Sequence, residues 1–334
     1  MFTPADDGLH LPTTDDFWWS ETYFFQFHIP EPRISVALYP WLRANLGMCA
    51  AGVAIWDDTA DLPWEMLLWD WQWQLPMPEG KLPNISIANG IEIECLKPLQ
   101  RYHIKYRSST ETDRRVELDF TFTGIHPVYP ISMEALKWVG TGHYDQMGRV
   151  TGRLELDGVA YDFDEFSIRD RSWGARPDMG DGIGYSAYSF AIADETDGVH
   201  AIWACAGNGD LMFVGGVRVI DGETIRLRNG CRIVERAKDT GKPDVVEVAF
   251  EDENGGVYSA QGRCLNGGPF HPRPNLFAWT SLVEWERDGR VFYGGDQDIW
   301  SYNLWRDYRR ALKVGTTAHM AAIPKLDTAV GIGG

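Results

Sequence analysis

The chain has 334 residues, with 15 Trp, 15 Phe and 13 Tyr, and its 31 basic against 48 acidic side chains give a net charge of −17. This length predicts two domains rather than one core, and a hydrophobic fraction of 44% excludes global disorder. So acidic a surface repels phosphate backbones and anionic lipid, which argues against nucleic acid or a membrane surface as a partner.

In chain order, the opening MFTPADDGLH lacks a basic region followed by an apolar run, so no signal peptide is read. No apolar stretch is long enough to span a membrane. The cysteines at 49, 95, 205, 231 and 264 show no C-x-x-C spacing, which suits reduced thiols in a cytoplasmic protein. In LLWDWQWQL, strand alternation puts Trp69, Trp71 and Trp73 on one face and Asp70, Gln72 and Gln74 on the other. That face reads equally as a Trp-rich core layer or as an aromatic wall for a flat ligand. In RRVELDFTFTG, Val116, Leu118, Phe120 and Phe122 alternate with polar residues, predicting a strand with one wet face. RVTGRLELDGVAYDFDEF predicts a hairpin: Leu154 and Leu156 lead into Asp157-Gly158, then Val159, Tyr161 and Phe163 follow at alternate positions. In GIGYSAYSFAIAD, alternation sends Tyr185 and Tyr188 to opposite faces, so at most one of them meets a given cavity. VHAIWACAGNGDLMFVGGVRVIDGETIRL and DVVEVAFEDENGGVYSAQGRC read as further hairpins. YGGDQDIWSY reads as strand, NLWRDYRRALK as a short helix.

Short strands with turns every ten or so residues predict an all-β protein of sandwich or barrel type with few short helices. The expected division is 1–165 and 166–325, with 326–334 a loose tail, and a homodimer is compatible with it. The chain lacks a P-loop, H-E-x-x-H, G-x-S-x-G and any histidine pair at metal-ligand spacing, so neither metal nor cofactor is expected.

The segment SIRDRSWGARP (167–177) places Asp170 among Arg169, Arg171 and Arg176, ahead of Trp173 and Gly174. As a charge cluster at a turn it would be structural. As a strand, it sends Arg169 and Arg171 away from Asp170, whose carboxyl could then enter an apolar pocket, keep its proton and deliver it. The predicted hairpin brings GHYDQMG close, with His143, Tyr144, Asp145 and Gln146; His143 beside Asp145 is a candidate for tuning the proton.

At these residues the chain resembles the carotenoid 1,2-hydratase/AttH-type lipocalin-like superfamily, which also holds fungal Diels–Alderase-like cyclases. SETYFFQFHI is similar to that family's E-W-W-Y-F strand, with Glu21, Tyr23 and Phe24 matching. GHYDQMGRVTG and RDRSWGAR are similar to its histidine and D-x-[SN]-W-G segments, although the histidines flanking the aspartate are here Arg169 and Arg171. The resemblance implies two consecutive lipocalin-like β-domains with an apolar pocket at their junction. It implies Asp170 as proton donor, assisted by His143 and Glu21, and a cofactor-independent hydratase, dehydratase or isomerase. The expected substrate is an apolar isoprenoid, steroid or aromatic compound. Trp173, Tyr144, Gln146, Tyr185, Tyr188, Trp69, Trp71 and Tyr23 are the expected substrate contacts. A non-catalytic carrier of an apolar ligand and a pericyclic cyclase are the alternatives.

Overall fold

A computed structural model of the chain describes residues 2–10, 12–81, 83–108, 114–131, 142–176, 183–206 and 211–314. The protein is essentially all-β, as its alternation predicts. Its organising element is the hairpin of Gly142–Leu156 and Val159–Ala175, antiparallel from Leu156 opposite Val159 to Gly142 opposite Trp173. The turn is Asp157-Gly158, both with positive φ (52° and 85°), the conformation that matches strand twist in a two-residue turn. Asp221-Gly222 and Asp288-Gly289 close two further hairpins in the same way.

The first sheet contains thirteen strands and wraps one apolar cluster that includes Phe25, Phe27, Val53, Tyr102, Phe120 and Val150. Trp19–Ile29 lies beside Val159–Ala175, with Phe24 opposite Asp170. The second sheet closes on itself as an eight-stranded antiparallel barrel, through the pairing of Val257–Cys264 with Leu276–Arg287. A barrel of eight strands is just wide enough to be filled by side chains, and Trp203, Phe250, Trp285 and Trp300 fill this one. The helix Tyr302–Val314 covers it with Leu304, Tyr308 and Ala311, spaced on one helical face.

Among the described residues three apolar patches join the domains, one of them Ile131 against Ile202 and Ala204. Phe24, Tyr39, Trp56 and Trp71 pack against Phe270 and Ala278, while Met147 and Ile168 pack against Phe190, Ile192 and Val217. Gln297 donates to Gln26 across the junction at 2.6 Å. The division expected at residue 165 falls inside Val159–Ala175, which pairs along its whole length within the first sheet; the change of sheet comes between Ala175 and Ile183. The alternation that marks a strand carries no mark of the sheet it joins. The expected tail 326–334 lies outside the described residues.

Candidate active site in the interdomain cleft

Alternation along Val159–Ala175 sorts its side chains between two environments. Arg169, Arg171 and Trp173 point into the first domain. Asp170 and Ser172, followed by Arg176 just beyond the strand, point toward the second. Gly174, with φ of +127°, supplies the left-handed conformation near the strand's end. Asp170 therefore lies on the face opposite Phe163 and Tyr161, the apolar residues of the hairpin that the sequence suggests as its companions; those belong to the first domain's core.

A narrow cavity of about 90 Å³ opens between the domains beside Asp170. The first domain contributes Phe24, Tyr39, His143, Ser172 and Arg176 to its wall. The second contributes Tyr188, Phe270, Arg273, Ala278, Gln297 and Ile299. Larger hollows lie on the outer sheet faces, such as the one along Thr123, Arg149, Asp164 and Glu195. They are open troughs between exposed ion pairs and enclose no reactive group.

Register fixes the chemistry of the cavity. Asp145 stands directly opposite Asp170 on the neighbouring strand, and His143 directly opposite Ser172. Directly opposed residues share a face, with Cβ atoms about 4.5–5.5 Å apart, so the sheet holds two carboxyl groups side by side. They have different surroundings. Asp145 is buried and flanked by two imidazoles: His143 Nε2 is hydrogen-bonded to Oδ2 at 3.3 Å, and His200 Nε2 lies 3.2 Å from the same oxygen without hydrogen-bond alignment. Burial opposes its charge, but the two histidines hold Asp145 well below the usual carboxylate range. His143 is also hydrogen-bonded through Nδ1 to Ser172 Oγ at 2.8 Å; burial disfavours its charge, yet Asp145 raises it above the ordinary imidazole value.

The Asp170 carboxyl has no hydrogen bond or ion pair to any described residue. The residue is half-buried and lines the cavity. Burial first, and the charge of Asp145 next, push it up to about 6, against the pull of His143, Arg176 and His200. Two carboxyls in contact with environments that drive their pKa values apart form an acid and a fixed anion.

Of the expected site residues, the cleft unites Asp170, His143 and Tyr188. Trp69 and Trp71 stand behind its apolar wall, Trp71 5.4 Å from the ring of Phe270, and so form an interdomain core layer. Glu21 is on the other face of the sheet, where Arg171 donates to its carboxylate and to the backbone oxygens of Asp6 and Gly8. Tyr23 and Tyr144 bond Asp7 on that side, Gln146 accepts from Arg169, and Trp173 stacks on His10 at 3.8 Å. Tyr185 lies in the second barrel, donating to Asp298. These six are corrected for one reason: each has the strand parity opposite to a cleft residue beside it. Unanticipated in the sequence were His200, Arg273, Tyr39 and Phe270. The Asp145–Asp170 opposition was within reach, since counting outward from Asp157-Gly158 pairs them; nothing comparable signals His200 or the second domain's wall.

The all-β, two-domain fold with an acid in its junction defines the class. The chain belongs to the family described as domain of unknown function DUF7064, whose model matches residues 3–295. No curated protein sequence matches it. Among solved structures it is similar to an AttH-type protein from Nitrosomonas europaea (15% identity, 89% of this chain and 96% of that one, TM-score 0.63). It is similar to CghA in complex with Sch210972 (11% identity, 90% and 95%, TM-score 0.52). It is also similar to kievitone hydratase from Nectria haematococca (12% identity, 87% and 90%, TM-score 0.50). At these identities the likeness shows a shared fold. Among the described residues no helix is long and apolar enough to cross a membrane, and no disulfide is formed.

Proposed function

We propose that the protein is a cofactor-independent acid–base lyase of the hydratase or dehydratase type, acting in the cytoplasm on a compact, largely apolar ring compound. The observation that carries this reading is the unpaired Asp170 carboxyl on a cavity wall, directly opposite the ionised Asp145. In the hydration direction, protonated Asp170 delivers its proton to an alkene carbon. Water then adds to the cationic carbon, and the proton released by that water returns to the Asp170 carboxylate. Dehydration is the same path reversed. His143, whose charged form Asp145 favours, is a positioning residue: it orients Ser172 and, when charged, offsets the charge of Asp170 once the proton has left. Tyr39 and Tyr188 present π-faces to the developing cation.

The cavity volume, about 90 Å³, is well below the roughly 300–1,000 Å³ of common ligand pockets. It favours a single ring over a steroid or a long isoprenoid. That a neighbour of this fold is a hydratase supports water addition or loss as the reaction. The test is turnover of a panel of cyclic alkenes and alcohols by wild type and Asp170→Asn. Loss of turnover with a wild-type circular dichroism spectrum supports the acid. Turnover retained in the variant overturns it. Ligand binding with no turnover of any compound would point to a carrier instead.

A further inference from the structure

The buried guanidinium groups of this protein fall into two kinds. Inside the second barrel, Arg232 is bonded to both oxygens of Asp296 at 3.0 and 2.6 Å, and Arg236 to both oxygens of Asp298 at 2.7 and 2.9 Å. Inside the first domain, Arg171 is bonded to Glu21. Arg169 has unpartnered nitrogens, but it lies over the rings of Tyr102, Tyr144 and Phe122 at 4.3, 5.3 and 5.7 Å, away from the cleft. Arg176 and Arg273 form the second kind. Both line the cleft, one from each domain, with exposures of 3% and 6%. Among the described residues the Arg176 guanidinium makes only long contacts, 3.3 Å to Ser20 Oγ and 3.4 Å to Thr22 Oγ1, and its Nε has no partner. Arg273 lies 4.9 Å from the ring centre of Trp41 and has no hydrogen bond or ion pair to a described residue.

Two desolvated cations, neither in an ion pair with a described carboxylate, are unfavourable unless an anion joins them. Burial, and then Arg273, push Arg176 down to about 10. Asp170 lines the same cavity and attracts Arg176 without forming an ion pair to either guanidinium, and it gives up that charge whenever it holds its proton. Asp145 is occupied by its two histidines. The cleft is therefore a cationic recess in a protein of net charge −17. Part of its wall is apolar, formed by Phe24, Phe270, Leu276, Ala278 and Ile299.

We propose that the cleft takes a small ring carboxylate, its anionic group held between Arg176 and Arg273 and its ring against Phe24 and Phe270, so that the carbon to be protonated faces Asp170. The planar fork of a guanidinium suits a carboxylate, and an apolar compound lacking the anion leaves both cations unpaired. This identifies the substrate class of the site proposed above and rests on the cleft being that site.

The test uses benzoate and benzamide, which share a shape and differ in charge, titrated against the full chain by calorimetry at low ionic strength. Wild type should bind benzoate about tenfold or more tightly than benzamide. Arg273→Met should reduce that preference to about twofold while leaving benzamide affinity unchanged, which also reports an intact pocket. Arg273→Lys should restore part of it. Equal affinity for the two probes, a preference unaltered in Arg273→Met, or binding of neither would overturn the proposal. Asp170→Asn should retain or improve benzoate binding. If the benzoate preference holds while Asp170→Asn leaves turnover intact, the anion site stands and the acid does not.

Discussion

The two faces of the single strand Val159–Ala175 differ in how their charges are met. Toward the first domain, Arg171 is enclosed by Glu21 and by backbone oxygens of the N-terminal segment. Asp7, fully buried there, accepts from the hydroxyls of Tyr102 and Tyr144 and from the backbone of Leu99. Toward the second domain, one residue along, Asp170 has no partner and Arg176 has only distant hydroxyls. Most polar groups buried for stability are satisfied, because an orphan costs about 1–3 kcal/mol; on the first-domain face the Nη atoms of Arg169 lack a hydrogen bond but lie over aromatic rings. A face that leaves an acid and a cation unsatisfied beside a cavity departs from that rule where a ligand would complete it.

The comparison can be broken most severely at Asp170. Asp170→Asn keeps the shape and removes the proton, and it should lower turnover by about 10²–10⁴-fold; a smaller loss in a steady-state assay would make the two faces functionally alike. On the opposite face, Glu21→Gln should lower stability by roughly 3–5 kcal/mol in chemical denaturation, since it leaves buried Arg171 with only the longer 3.9 Å contact to Asp7. It should leave the pH midpoint of activity where it was. A shift of that midpoint would mean that Glu21 belongs to the chemistry after all.

A third, opposite effect on stability sharpens the contrast. Asp170 is raised from 3.8 to about 6 in the folded protein, so the folded state holds the proton more tightly than the unfolded chain. Asp170's contribution to stability is thus highest below about pH 4, falls as pH rises through about 6, and is level above. Asp170→Asn removes that loss and should be more stable than wild type by roughly 1–3 kcal/mol at pH 7, with no difference near pH 3.5. Thermal melts at both values would expose a destabilised variant, and with it a structural role. The smallest effect is expected from Tyr188→Phe, which keeps the ring in the cleft and removes one hydroxyl; KM should change by about two- to tenfold with the pH midpoint unmoved.

Much of this was legible in the sequence, and the reason lies in the period of a strand. Asp157-Gly158 set the hairpin, and alternation separated Asp170 from Arg169 and Arg171 and Tyr185 from Tyr188, as observed. What alternation lacks is a sign: it says that two residues part company without saying which one meets the cavity. Trp173, Tyr144 and Glu21 were expected at the site because they neighbour Asp170 or match the family motifs, and parity sends them to the far face. Phe270 and Arg273 come from a strand almost a hundred residues after the motif, brought to it by closure of the second barrel. No local pattern encodes that contact.

The protonation state of the Asp170 carboxyl can be read directly. Carbon-13 labelling of aspartate side chains, with Asp170→Asn to assign the resonance, gives the titration of Asp170 in the folded protein. A midpoint near 6, distinct from that of an Asp145 still ionised at the lowest pH the fold survives, is the expected result. A midpoint at or below the ordinary 3.8 would mean that a cation pairs with Asp170 in solution, and the proton-donor reading would be contradicted.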